Sequence, residues 1–157
     1  MATLAYKAII DEVNKGSIVL DLFGGAAVIG ILVSDKAKQV YSVELNKDTH
    51  NDALKNIELN KIKNVKAIYG DANTYALENI NNADTIIVDP ARAGLSEASA
   101  KAINNSGAQK IIYLSCNIDT QFRDIKLMDK YEVKKVQPYD FFPQTFHIEN
   151  LVILEKR

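Results

Sequence analysis

The sequence predicts an α/β fold: a mostly parallel seven-stranded sheet with helices on both faces and an antiparallel hairpin at the C-terminal end. Three observations predict it. Short β-branched runs alternate with helix-patterned segments along nearly the whole chain. Acidic and small residues collect where those runs break. After the fifth strand the alternation gives way to two consecutive β-rich segments. Alternating strand and helix units build parallel sheets with right-handed crossovers and place ligands beyond the carboxyl ends of the strands.

Taken in order, Leu4, Ala8, Ile9 and Val13 recur at helical spacing, and Lys15-Gly16 closes that helix. Ile18-Val19-Leu20 reads as a buried strand, followed by a glycine-containing turn and a helix start. Gln39 to Val43 is the second strand, Asn46 to Leu59 a helix opened by an Asn or Asp cap, and Val65 to Tyr69 the third strand. Asn73 to Ile80 is a short helix, Thr85 to Val88 the fourth strand, Ser96 to Asn105 a helix and Lys110 to Leu114 the fifth strand. Asp119 to Met128 makes the last helix. Tyr131 to Val136 and Leu151 to Leu154 form the hairpin, joined by a loop that holds Pro138 and Pro143.

A chain of 157 residues suits one domain with a sizeable core. Its 47% hydrophobic and 25% charged residues are those of an ordinary globule, and no apolar stretch approaches the roughly 20 residues that span a bilayer. The first residues lack the basic start and sustained apolar run of a secretory leader, so the expected location is cytoplasmic. One cysteine forms no internal disulfide, and there is no Cys/His spacing suited to zinc, so no metal is expected. Nineteen basic against twenty acidic side chains lack the basic excess of a protein that grips nucleic acid unaided.

The chemistry-bearing residues sit at strand ends. Asp21-Leu22-Phe23-Gly24-Gly25-Ala26-Ala27 lets a ligand approach the backbone before a helix N-terminus, and Glu44 closes the second strand nineteen residues after Gly25. That pattern fits a dinucleotide or S-adenosylmethionine, and a tight packing turn with a solvated Glu44 would read the same. Asp71 after the third strand and Asp89-Pro90 after the fourth favour S-adenosylmethionine. Asp71 reads equally as a helix N-cap. Asp89 follows Ile86-Ile87-Val88, and a carboxylate ending a central strand needs a partner.

Cys116 follows the fifth strand, and Glu149 stands 33 residues later, just before the last apolar run. On neighbouring strand ends they offer a nucleophile and a base for covalent catalysis. A helix starting just after Cys116 is expected to favour its thiolate. His147 is read as holding the loop. Arg92 either contacts the substrate backbone or pairs with a carboxylate, and the sequence leaves these equal. Phe141, Phe142 and Phe146 are read as anchoring the loop to the core.

Three segments together resemble the RNA uracil-5-methyltransferases: Asp89-Pro90-Ala91-Arg92-Ala93-Gly94, Ile111 to Thr120 around Ser115-Cys116-Asn117, and Asp140-Phe141-Phe142-Pro143-Gln144-Thr145-Phe146-His147-Ile148-Glu149. The likeness runs from about Ile18 onward. It implies the Rossmann-like class I methyltransferase fold, with residues 1–157 as the catalytic domain, and S-adenosylmethionine as cofactor held by Phe23, Gly25, Glu44, Asp71 and Asp89. It also implies RNA, ribosomal or transfer, as substrate, with Asp89 and Arg92 on the substrate side. Cys116 is implied as the thiolate that adds to carbon 6 of uracil, and Glu149 as the base that removes the carbon 5 proton.

Two departures stand out. The family's loop usually reads Cys-Gly-x-Gly, whereas Gly24-Gly25-Ala26-Ala27 adds a methyl at Ala27 that is expected to narrow the cofactor's space. Relatives carry an upstream RNA-binding barrel and an inserted segment before the point where this sequence begins, so weak RNA binding and low turnover are expected of the chain alone. Two other readings remain: a cofactor-binding or interaction module without catalysis, and a nucleotide-dependent oxidoreductase that would use Gly25 and Glu44 but give Cys116 and Glu149 no role.

Overall fold

The structure is a computed structural model that describes residues 2–141, 145 and 148–157. Seven strands, β1 (Ile18–Leu22), β2 (Gln39–Glu44), β3 (Val65–Tyr69), β4 (Thr85–Val88), β5 (Lys110–Ser115), β6 (Tyr131–Tyr139) and β7 (Glu149–Lys156), form one sheet in the order β3-β2-β1-β4-β5-β7-β6. The first five run parallel, and β7 lies antiparallel to both β5 and β6. The expected sheet, mostly parallel with a C-terminal hairpin, is therefore the one observed.

The helices are α1 (Ala2–Glu12), α2 (Val28–Val33), α3 (Lys47–Leu59), α4 (Ala72–Asn79), α5 (Glu97–Asn105) and α6 (Ile118–Ile125). Short polar side chains start most of them: Asn46, Asp71, Ser96 and Asn117 each accept a hydrogen bond from a backbone N–H of the first turn. Strand alternation sorts the apolar residues into two cores. Leu20, Leu22, Ile86, Val88, Ile111, Tyr113, Val152 and Leu154 pack with Ala76, Leu95, Ala100 and Ile103 on the side of α4 and α5. Val19, Ile87, Ile112, Leu114, Leu151 and Ile153 pack on the other face with Ala5, Ile9, Ile29 and Val33 of α1 and α2. Each buried Val, Leu or Ile among them contributes about 1.5–3 kcal/mol by leaving water, which fixes the register of every strand that carries the site.

Three details differ from the sequence reading. Pro138 lies within β6, opposite Asn150, rather than in the loop. A proline fits there because β6 is the outermost strand, where a missing N–H breaks no ladder. Helix α6 ends at Ile125, three residues before the expected Met128. Leu4 is 56% exposed, and Ala5 and Ile9 are the fully buried contacts of α1.

Candidate active site

Strand β1 is flanked by β2 on one side and β4 on the other, because the chain winds outward through β2 and β3 and then crosses back to β4 beyond β1. The crevice beyond its carboxyl end is where open α/β sheets take ligands. The loop here turns sharply: Phe23, Gly25 and Ala27 all have left-handed backbone, with φ of 63°, 56° and 59°. Gly24 admits no side chain, because a Cβ would stand 2.0 Å from Ser42 Oγ. Ala27 carries a backbone cost of about 1–2 kcal/mol, yet its methyl is enclosed, with the residue 0% exposed. The extra carbon is packed inside the loop rather than presented at the surface.

Two carboxylates border this loop with their backbone duties already met. Glu44, at the end of β2, accepts the Gly25 N–H at 3.0 Å and the Asn46 N–H at 2.7 Å. Asp71 caps α4, accepting the Thr74 N–H at 2.9 Å through Oδ1. The capping reading of Asp71 is thus realised, and its second oxygen stays outside that bond. Phe23 is half-buried and packs against the core under α4 and α5.

Beneath the loop lies a residue the sequence reading passed over. Asp21 is fully buried and accepts the Ser42 hydroxyl at 2.8 Å through Oδ2, while Oδ1 has no partner among the described residues. Burial pushes its carboxyl up to about 7, against the lowering effect of the Ser42 hydroxyl and the Gly30 N–H. The signal was available: an acid inside the apolar run Ile18 to Leu22 has no ordinary reason to be there.

The reactive pair is assembled by the β5–β7 ladder. Ser115 pairs with Asn150 in the last rung of the ladder, so Cys116 and Glu149 are the chain neighbours of that rung, one residue beyond it on each strand. Period two also aligns the neighbours: Cys116 follows Leu114, Glu149 precedes Leu151 and Asp89 follows Ile87, all three of which face the α1 side. Asp21, next but one after Val19, points the same way.

Burial and neighbouring charges set the protonation of these groups. Burial pushes the Cys116 thiol up, the Glu149 carboxylate adds to this and Asp89 adds less, while the Arg92 guanidinium pulls down. The expected thiolate stabilisation by the start of α6 is therefore outweighed: the helix begins where predicted, but burial and two acids dominate. Asp89 is pushed up to about 7 by burial, then by Glu149 and Asp21. Tyr6 of α1, also unforeseen, is pushed up by burial, then by the charges of Asp89 and Glu149. Nothing in the sequence links Tyr6 to residues more than 80 positions away.

Helix α6 holds the loop after β4. Asn117 Nδ2 and Thr120 Oγ1 both donate to the Arg92 carbonyl, at 3.0 and 3.1 Å. Buried Asp124 accepts the Leu95 N–H and the Tyr113 hydroxyl, each at 2.7 Å, and Arg123 donates to the carbonyls of Ala93 and Leu95. Gly94 is required there, since a Cβ would lie 2.6 Å from Asp124 Oδ2 at a φ of +74°. Ser115 Oγ accepts the Asn117 N–H and donates to the Asn117 carbonyl, both at 3.0 Å, bridging over Cys116. Phe141 packs beside Tyr139, as an anchor would, whereas Phe142, Phe146 and His147 lie outside the described residues.

With this geometry in place, similarity to known proteins becomes informative. Residues 1–157 match the family model for tRNA (uracil-5-)-methyltransferase. The chain belongs to this family. An uncharacterized RNA methyltransferase from Mycoplasma mobile is 45% identical over 157 residues, 99% of this chain and 43% of the relative. Another from Bacteroides thetaiotaomicron is 41% identical over 145 residues, 89% of this chain and 32% of the relative. The chain thus spans less than half the length of these relatives. Among solved structures, the Pyrococcus abyssi tRNA (uracil-54, C5)-methyltransferase in complex with S-adenosyl-L-homocysteine superposes with a TM-score of 0.87 at 29% identity, covering 98% of this chain and 38% of that one. A precorrin-6y C5,15-methyltransferase from Geobacter metallireducens, at 15% identity and a TM-score of 0.80, shares the fold.

Proposed function

We propose that this chain is the catalytic domain of an S-adenosylmethionine-dependent RNA methyltransferase acting on carbon 5 of a uridine through a covalent Cys116 adduct. The observation that supports the reading is the Ser115–Asn150 rung that ends the β5–β7 ladder, next to Cys116 on one strand and Glu149 on the other, with Glu149, Asp89 and Arg92 all acting on the thiol's proton affinity. A nucleophile facing a base at a switch-point crevice suits addition followed by proton removal.

The loop between β1 and α2 fits the cofactor. Gly24 has no room for a Cβ, Gly25 exposes left-handed backbone, and Asp21 keeps a buried oxygen without a partner among the described residues. Phe23, Gly25, Glu44, Asp71 and Asp89 would hold it, and it would supply an electrophilic methyl carbon. Cys116 Sγ, as thiolate, bonds to carbon 6 of uracil, and the carbon 5–carbon 6 π electrons make carbon 5 the nucleophile. After carbon 5 is methylated, Glu149 takes its proton, the double bond re-forms and the carbon 6–sulfur bond breaks, returning the Cys116 thiolate. Asp89 and Arg92 flank the ring, and Arg92 opposes the negative charge that develops during addition.

RNA containing 5-fluorouracil tests the reading, because fluorine cannot leave carbon 5 as a proton does. Incubated with S-adenosylmethionine and such RNA, the chain is expected to form a methylated covalent adduct resistant to denaturation. Cys116→Ala must abolish it. An adduct that survives this substitution, or S-adenosylhomocysteine failing to bind where NADH does, would overturn the proposal.

A further inference from the structure

On the face of the sheet opposite the reactive pair, two buried amides join the elements that carry it. Gln121 of α6 is 1% exposed and Asn150 of β7 is 6% exposed. Gln121 Nε2 donates to the Tyr113 carbonyl of β5 at 2.9 Å and to the Asn150 carbonyl at 3.1 Å. Asn150 Nδ2 returns a bond to Gln121 Oε1 at 2.7 Å. One side chain thus grips the carbonyls of both strands at the point where their ladder ends, and its own acceptor is held by the residue next to Glu149.

The placement is specific. Asn150 is the partner of Ser115, so each amide-held residue is the immediate neighbour of a reactive one: Ser115 precedes Cys116 and Asn150 follows Glu149. Side chains alternate along a strand, so a brace on the α6 face fixes the backbone from which Cys116 and Glu149 project on the other. The two reactive residues are 33 positions apart, and their facing geometry depends on how firmly these two strand ends are joined. Removing one amide leaves buried groups without partners, which is costly away from water.

We propose that Gln121 and Asn150 are positioning residues that fix the approach of Glu149 to Cys116, an inference that rests on the methyltransferase reading for its catalytic meaning. The charges that act on the thiol are those of Glu149 from β7, Asp89 after β4 and Arg92 from the following loop. Of these, the amide brace acts on Glu149.

The test needs no turnover. Cys116 is the only cysteine, so the pH dependence of its alkylation by iodoacetamide reports on its surroundings in the intact chain. Glu149→Gln removes a charge that holds the thiol protonated and is expected to lower the alkylation midpoint. Gln121→Met, which keeps the volume and removes the bonds, is expected to lower it toward that value. In the Glu149→Gln background, Gln121→Met should produce no further change. A midpoint untouched by Gln121→Met, or shifted equally in both backgrounds, overturns the proposal.

Gln121→Met combined with Asn150→Leu guards against simple unfolding. With both partners apolar it should melt above the single variant while keeping the lowered midpoint, and a midpoint that recovers along with stability would reduce the pair to a packing role. If the single variant does not fold, this double variant alone decides. Absence of an adduct with fluorouracil-containing RNA while the alkylation pattern holds would remove the methyltransferase reading and leave the brace standing.

Discussion

The two halves of the crevice are built on opposite electrostatic plans. Beside β2 and β3, Glu44 and Asp71 spend carboxylate oxygens on backbone N–H groups and so close a turn and cap a helix. Beside β4, β5 and β7, burial and the Glu149 carboxylate raise the proton affinity of Asp89 and of Cys116, with Arg92 opposing them at the thiol. In the first half the carboxylates are already engaged by the fold's own backbone, as suits a surface proposed to hold a cofactor. The second half keeps protons in readiness and concentrates negative charge where cationic and electrophilic groups would be welcome. Binding geometry can be part of the fold's own hydrogen bonding, whereas reactivity needs groups the fold alone does not satisfy.

The largest effect should come from the reactive half. Glu149→Gln keeps the size of the side chain and removes the base, so release of the adduct from ordinary uridine should slow by about 10²–10⁴-fold. Addition at Cys116 should survive, so denaturing gels would show a covalent protein–RNA species accumulating without fluorine. Fast release by this variant would assign the proton to another group and dissolve the contrast between the halves.

Asp21, beneath the boundary between them, gives the next effect and it is one of stability. Its carboxyl is pushed up to about 7 from an ordinary 3.8, so the folded chain keeps a proton that the unfolded chain has lost. Stability contributed by that proton is fully present below about pH 4 and declines as pH rises toward 7, after which the penalty is constant. Asp21→Asn can still accept from Ser42 but cannot ionise. It should be more stable than the parent at pH 8 by on the order of 2–4 kcal/mol, with the difference vanishing near pH 4. Urea unfolding at the two pH values reads this directly, and a variant less stable at pH 8 would show that the ionised carboxylate is well solvated by its neighbours.

What the sequence made legible follows the same division. Periodicity located all seven strands, and short polar residues marked the caps Asn46 and Asp71, because these are local signals. Cys116 and Glu149 were legible as strand-end residues. Their mutual effect was not, since it depends on a β5–β7 register set by the packing of Leu114 and Leu151. The same limit hid the Gln121–Asn150 brace, 29 residues apart, and let the helix after Cys116 be overvalued against burial. Pro138, expected in the loop, lies in β6, and only the sheet order shows that strand to be an edge, where a proline is tolerated.

The smallest effect separates the two duties of Asp71. As a cap it accepts the Thr74 N–H, and Asp71→Ala should cost about 1 kcal/mol of stability. Serine is as good a cap as aspartate, so Asp71→Ser should restore most of that loss while removing the second carboxylate oxygen. If this first half of the crevice also binds, the serine variant melts like the parent yet holds S-adenosylhomocysteine more weakly in calorimetric titration. If both properties return together, Asp71 is a cap and nothing more, and the cofactor rests on Glu44 and the backbone of the Gly25 turn. The two outcomes differ because the helix needs only one acceptor at that position, whereas a ligand contact would need the charge or the second oxygen.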